Sequence, residues 1–219
     1  MTATALLLGA TGLVGGHCLD LLLADPARAR VVTLGRRPTG RAHEKLDERV
    51  GDMERLAEHA DAFAVDDVFC CVGTTIRAAG SRAAFRRVDH DIAVAAAAIA
   101  AERGARHFLL VSAMGADPGS RIFYNRVKGE TEADVAAHSL AGVALLRPSL
   151  LLGKRGEARA AEALAQHVFP LVSPLLRGPL RRYRAVEART VAAAMLRLAR
   201  EGVRGVRVVE SDEIDRLGR

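Results

Sequence analysis

Short apolar runs bounded by turn residues alternate along this chain with longer stretches of helical periodicity. The runs predict strands at Ala3–Leu8, Arg30–Leu34, Arg49–Gly51, Asp67–Val72, His107–Ser112, Gly142–Leu146 and Gly205–Val209. Helical patterns fill the intervals at Gly12–Ala24, Met53–His59, Ser81–Arg103, Ile122–His138, Glu157–Val168 and Glu187–Arg200, with a last turn at Ser211–Leu217. Such alternation calls for right-handed crossovers, which set successive strands parallel and wrap helices over both faces. The expected fold class is α/β, a doubly wound parallel sheet. Ligands of such sheets lie beyond the carboxyl ends of the strands, so the chemistry is sought there.

Composition narrows the field. A chain of 219 residues, half apolar and a quarter charged, suits one ordered domain with a sizeable core. The longest apolar run, Ile92–Ala101, is mostly alanine and too short to span a bilayer. The first apolar stretch has no basic region ahead of it and runs into glycines, so it reads as a buried strand rather than a leader, and a cytoplasmic location is expected. The net charge of +6 raises nucleic acid as a partner. Arginines are nevertheless spread along the chain, and aromatics are too few, at 4%, to interleave a basic stretch with stacking rings. No nucleic acid or membrane partner is expected, and the chain is expected to be a monomer or dimer. Three cysteines, two of them adjacent, and seven scattered histidines show no zinc spacing, so no metal is implied; Cys70 and Cys71 read as packing residues.

The first strand ends in Gly9-Ala10-Thr11-Gly12-Leu13-Val14-Gly15, and an apolar helix follows. Gly9 permits a tight turn, Gly12 lets the backbone approach a pyrophosphate, and Gly15 lets the helix pack close to the sheet. The second strand runs into Leu34-Gly35-Arg36-Arg37. A site for NAD usually offers a carboxylate there to bond the ribose hydroxyls. Two guanidiniums instead suit a 2′-phosphate, so NADP(H) is preferred over NAD(H); solvated loop arginines are the plainer alternative.

Tyr124 is one of two tyrosines, and Lys128, one of only three lysines, follows four residues later. At that spacing the two share a helix face. In a chain that otherwise takes its cations from arginine, a compact ammonium beside a phenol points to a tyrosine acid/base tuned by a lysine. The alternative is a core tyrosine with a solvated lysine one turn on.

The glycine turn, Arg36-Arg37, Cys70-Cys71-Val72-Gly73-Thr74-Thr75, Val88-Asp89-His90-Asp91, His107 to Ser112 leading to Gly115-Ala116-Asp117, Tyr124-x-x-x-Lys128-Gly129-Glu130 and Arg147-Pro148 occur in this order. In that order and spacing the chain resembles the short-chain dehydrogenase/reductase superfamily, and within it the atypical branch of oxidoreductases similar to the Tat-interacting protein. The resemblance spans nearly the whole length. It implies a single NAD(P)-binding Rossmann-fold domain over residues 1–219, with a small substrate-lid part from about 150–219.

It further implies a catalytic trio of Ser112, Tyr124 and Lys128. Ser112 would hold a substrate oxygen, Tyr124 would move the proton, and Lys128 would also bond the nicotinamide ribose. Thr11, Leu13 and Val14 complete the phosphate turn. Asp52 and Met53 border the adenine, Val72, Gly73 and Thr74 the ribose, and Pro148 the nicotinamide. Asp52 suits a helix cap equally well. One departure is plain: many members add an asparagine to the trio, yet Asn125, the sole asparagine here, lies inside the motif itself. The lid, expected over Leu150 to Arg184, carries Phe169, Tyr183 and the cluster Arg177, Arg181, Arg182 and Arg184.

The expected function is an NADP(H)-dependent oxidoreductase acting on a small carbonyl or alcohol. Two alternatives stay open. One is an NADP(H)-sensing regulator; the other is a nucleotide-sugar epimerase or dehydratase, disfavoured by the short C-terminal part.

Overall fold

The computed structural model describes residues 2–152 and 184–219. The chain begins with β1 (Ala3–Leu8), α1 (Leu13–Ala24), β2 (Arg28–Gly35) and β3 (Leu46–Val50), then a 3-10 helix over Met53–Phe63 and β4 (Asp67–Cys70). Two short helices follow, α2 (Ile76–Ala79) and α3 (Arg82–Arg86). A π-helical turn over Arg87–Asp91 joins α3 to α4 (Ile92–Glu102). Next come β5 (His107–Val111), α5 (Phe123–Ala136), β6 (Gly142–Arg147) and β7 (Leu151–Leu152). After residues 153–183 the chain continues with β8 (Val186–Glu187), α6 (Ala188–Glu201), β9 (Gly205–Glu210) and α7 (Ser211–Leu217).

Seven strands form one parallel sheet in the order β3-β2-β1-β4-β5-β6-β9, and β7 pairs with β8. The sequence order reverses beside β1, where β1 lies between β2 and β4. That reversal opens a crevice at the carboxyl ends of these strands.

The inner strands are largely apolar because both faces are covered. Ala5 and Leu7 of β1 face one core together with Phe69, Leu109, Ala144 and Leu146, under α1, α6 and α7. Leu6 and Leu8 face the other with Val68, Phe108, Val143 and Leu145, under the 3-10 helix, α4 and α5.

Several boundaries differ from expectation. The third strand lies at Leu46–Val50 rather than Arg49–Gly51; it is a charged, half-exposed edge strand, and edge strands carry charge to discourage further pairing, which hides the apolar signal. The helix expected over Ser81–Arg103 runs on without a break from Arg82 to Glu102 but takes a π turn over Arg87–Asp91, and Met53–His59 is 3-10 and runs on to Phe63. The helix expected at Glu157–Val168 lies outside the described residues, as do Phe169, Tyr183, Arg177, Arg181 and Arg182. Residues 186–219 supply the last strand of the main sheet and the helices that cover it.

Candidate functional site

The glycine turn is the tightest point at the carboxyl end of the sheet. Gly9 has φ +82°, and a Cβ there would stand 2.6 Å from the Cys71 carbonyl oxygen. A Cβ on Gly15 would stand 2.0 Å from the Gly9 carbonyl oxygen, so α1 and the turn approach as only glycines allow. The Gly12 N–H donates to the Gly9 oxygen at 2.9 Å and closes the turn. No side chain caps α1 at Gly12, and its first turn holds no acidic residue, which leaves its N–H groups available to an anion. Thr11 is exposed, Leu13 and Val14 pack into the core, and the backbone is what this loop presents.

Arg36 and Arg37 stand exposed just past β2. Among the described residues neither has an ion-pair partner, whereas Arg41 is paired with Asp20 at 3.0 Å. Asp52 caps the 3-10 helix, its carboxylate accepting from the Glu54 N–H at 2.9 Å, and Met53 is buried in the core. Val72, Gly73 and Thr74 form the loop after β4. Pro148 is buried after β6, and its carbonyl accepts from the Met114 N–H at 3.0 Å.

Ser112 follows β5, held by its N–H to the Leu146 carbonyl at 2.7 Å. Its side chain is buried, and among the described residues the hydroxyl has no hydrogen-bond partner. Buried hydroxyls are nearly always partnered, so an orphan at the mouth of the crevice is a place where a ligand oxygen fits. Tyr124 sits in the first turn of α5, tilted against Phe85 of α3 with ring centroids 5.5 Å apart. Lys128, one turn on, is buried, and its ammonium forms an ion pair with Asp89 Oδ1 at 2.7 Å.

The electrostatics depart from expectation in one respect. Burial pushes the Tyr124 phenol up; Lys128 pulls it down, Asp89 pushes it up again, and the phenol ends above its ordinary value. Burial pulls the Lys128 ammonium down, but the Asp89 carboxylate and, after it, Tyr124 together outweigh this and leave it raised. The lysine therefore does not bring the phenol into a neutral range in this arrangement.

Two residues at the site were not singled out by their types. Asp89, in the π turn, is buried; besides Lys128 it accepts from the Thr74 N–H at 2.8 Å through Oδ2. The only signal was its place in the Val88-Asp89-His90-Asp91 run, since a charged residue on a helical pattern normally reads as solvated. Gly129 lets α5 lie against the loop after Ser112: a Cβ there would be 2.2 Å from the Pro118 nitrogen. A glycine inside a long helix was the available sign.

The cysteines pack as expected. Cys70 is fully buried, and burial pushes its thiol up to about 12. Cys71 shares a hydrogen bond with Cys18 that, with burial, raises it well above the usual range, and its sulfur lies 3.9 Å from that of Met195. Among the described residues no cluster of three potential metal ligands occurs, and no helix is long and apolar enough to cross a membrane.

Comparison with known proteins follows this geometry. A family profile described as NAD(P)H-binding matches residues 9–166, from the glycine turn to beyond Pro148. The chain belongs to this NAD(P)H-binding family. Among its relatives, Protein HTATIP2 of Rattus norvegicus is 40% identical over 167 residues, covering 74% of this chain and 69% of the relative. Protein fmp52-1, mitochondrial, of Aspergillus terreus is 33% identical over 222 residues, covering 99% and 95%. The atypical oxidoreductase branch inferred from the motifs is the one these relatives represent. The fungal relative's label is mitochondrial, so the cytoplasmic expectation does not carry over from it.

Among solved structures, MoeE5 in complex with UDP-glucose and NAD superposes with a TM-score of 0.70 at 19% identity, covering 96% of this chain and 79% of that one. At that identity the likeness speaks for the fold alone. The NAD(P)H-binding fold is of oxidoreductase type, and the uncapped α1 terminus and the glycine contacts fit a bound dinucleotide.

Proposed function

We propose that this chain is an NADP(H)-dependent oxidoreductase of the short-chain dehydrogenase/reductase type, acting on a small carbonyl or alcohol, with residues 1–219 forming one nucleotide-binding domain. The observation that carries this reading is the Ser112 hydroxyl, buried and unpartnered among the described residues, just past the carboxyl end of β5, the strand before the helix that holds Tyr124 and Lys128.

The glycine turn and the α1 terminus would hold the pyrophosphate, and Arg36 and Arg37 the 2′-phosphate. Val72, Gly73, Thr74 and Pro148 would line the ribose and nicotinamide side. When bound, NADPH supplies a hydride. Ser112 donates a hydrogen bond to the substrate oxygen, and Tyr124 exchanges the proton with that oxygen. Lys128 sets the charge beside the phenol.

The test is calorimetric titration with NADPH and NADH, followed by a screen of small carbonyl compounds under NADPH consumption. NADPH is expected to bind about tenfold or more tightly than NADH, the worth of one or two charge-assisted bonds, and Arg36→Ala/Arg37→Ala to abolish that difference. Tyr124→Phe should leave NADPH affinity unchanged while turnover falls by roughly 10²- to 10⁴-fold. Normal turnover by Tyr124→Phe would leave the chain as a nucleotide-sensing protein.

A further inference from the structure

Asp89 has no part in the trio, yet it is the most constrained carboxylate at the site. It lies in the π turn that joins α3 to α4, an insertion uncommon in helices and frequent at functional sites. Groups from two elements hold it. Lys128 of α5 pairs with Oδ1 at 2.7 Å, and the Thr74 N–H after β4 donates to Oδ2 at 2.8 Å; the Thr131 hydroxyl of α5, which donates to the Val127 carbonyl at 2.7 Å, lies 3.2 Å from the Asp89 backbone carbonyl. The side chains of the ion pair are 7% and 1% exposed, so water screens little of their charge.

Among the described residues, the charged groups acting on the Tyr124 phenol are one cation and one anion, Lys128 and Asp89. From α3 the Phe85 ring packs against Tyr124. From β4, Cys70 faces Lys128 and Asp89 as a neutral thiol. Arg86 and Arg126, nearer the surface, are both committed to Glu130. A lysine without a counter-charge would draw the phenol toward phenolate, whereas here the buried carboxylate cancels it.

We propose that Asp89 is a positioning residue that neutralises Lys128 and thereby holds Tyr124 as a protonated phenol, fitting the site to reduce carbonyls. The direction of the chemistry rests on the oxidoreductase reading above. In the step, the Tyr124 O–H bond breaks and its proton passes to the carbonyl oxygen. The carbonyl carbon gains a hydride from a reduced nicotinamide dinucleotide, so the carbonyl becomes an alcohol and the dinucleotide is oxidised. Reduction then has its proton donor fully present across neutral pH, while alcohol oxidation gains its base only as pH rises.

The test reads Tyr124 directly. The chain has two tyrosines and no tryptophan, so in the full-length Tyr183→Phe protein the phenolate absorbance belongs to Tyr124 alone. Asp89→Asn in that background should lower the ionisation midpoint by about one pH unit or more, because the Lys128 charge then acts unopposed. Asp89→Glu, which keeps the charge, should leave it near the parent value. Where Asp89→Asn does not fold, Asp89→Ser keeps an oxygen for the Thr74 N–H and should shift the midpoint the same way. An unchanged midpoint in either folded, charge-free variant overturns the proposal. Failure of the oxidoreductase reading shows elsewhere, as absence of NADPH binding by the unaltered protein.

Discussion

The two ends of the seven-stranded sheet treat polar groups in opposite ways. At the amino end, charges are buried and matched. Arg28 pairs with Asp67 and with Asp25; the Asp67 carboxylate also meets His107 Nδ1 at 2.7 Å, and Asp25 is held by Arg200 at 2.8 Å. Asp66 accepts from the Thr4 N–H and hydroxyl at 2.7 and 2.9 Å and pairs with Arg106 at 3.0 Å.

At the carboxyl end the Ser112 hydroxyl is orphaned, α1 starts without a cap, and Arg36 and Arg37 stand without ion-pair partners among the described residues. The Asp89–Lys128 pair is matched there, but it stands beside a phenol rather than sealing the fold. Saturated polar groups stabilise; unsaturated ones wait for a ligand. Concavity alone is a poorer guide. A groove of about 490 Å³ between α1, α6 and the C-terminus lies toward the amino end, and its Arg197, Arg200 and Arg219 are each paired with a carboxylate.

The largest effect should come from breaking the amino end. Asp67→Ala leaves Arg28 buried without its main partner and should cost about 3–5 kcal/mol of stability, read by urea denaturation. NADPH affinity of the folded protein should not change. A parallel loss of affinity would mean that the two ends are not separate in function.

A smaller and matched pair sharpens the contrast. Gly15→Ala drives a Cβ to 2.0 Å from the Gly9 oxygen, and Gly142→Ala drives one equally close to the Val203 oxygen at the start of β6. Each should cost about 1–3 kcal/mol as overpacking. Gly15→Ala should in addition abolish measurable NADPH binding, while Gly142→Ala should leave it intact. Equal affinities in the two variants would remove the phosphate turn from the site.

The sequence exposes the carboxyl end more readily than the amino end. The Gly9–Gly15 turn and the Tyr124/Lys128 spacing are local patterns, since one turn or one helix face contains them. Five of the seven strands of the main sheet, the inner ones, were legible because burial on both faces makes them largely apolar, and the edge strand β9 was legible through its valine run. The charged edge strand Leu46–Val50 was displaced by that same criterion. Asp89 and its π turn were not legible, because partners from β4 and α5 meet it only after folding. The Arg28–Asp67–His107 set was hidden for the same reason: its members stand 39 and 40 residues apart.

The smallest effect is in pH, and the two ends should govern opposite limbs. Burial pushes the Asp66 carboxyl up, yet the Thr4 hydrogen bonds, Arg106 and Arg28 outweigh it and leave it lowered; Asp25 is likewise lowered against burial, chiefly by Arg200. A lowered carboxyl contributes stability that is present above its unfolded value of about 3.9 and is lost as pH falls through the folded one. The raised Tyr124 and Lys128 contribute stability that is present below their unfolded values, about 10 and 10.4, and is lost as pH rises through the folded ones. Melting temperatures measured across the pH range should therefore fall on both sides. Asp66→Asn should flatten the acid limb alone and Tyr124→Phe the alkaline limb alone. If each variant changed both limbs alike, the ionisations would be coupled through the sheet, and its two ends would not act as independent electrostatic units.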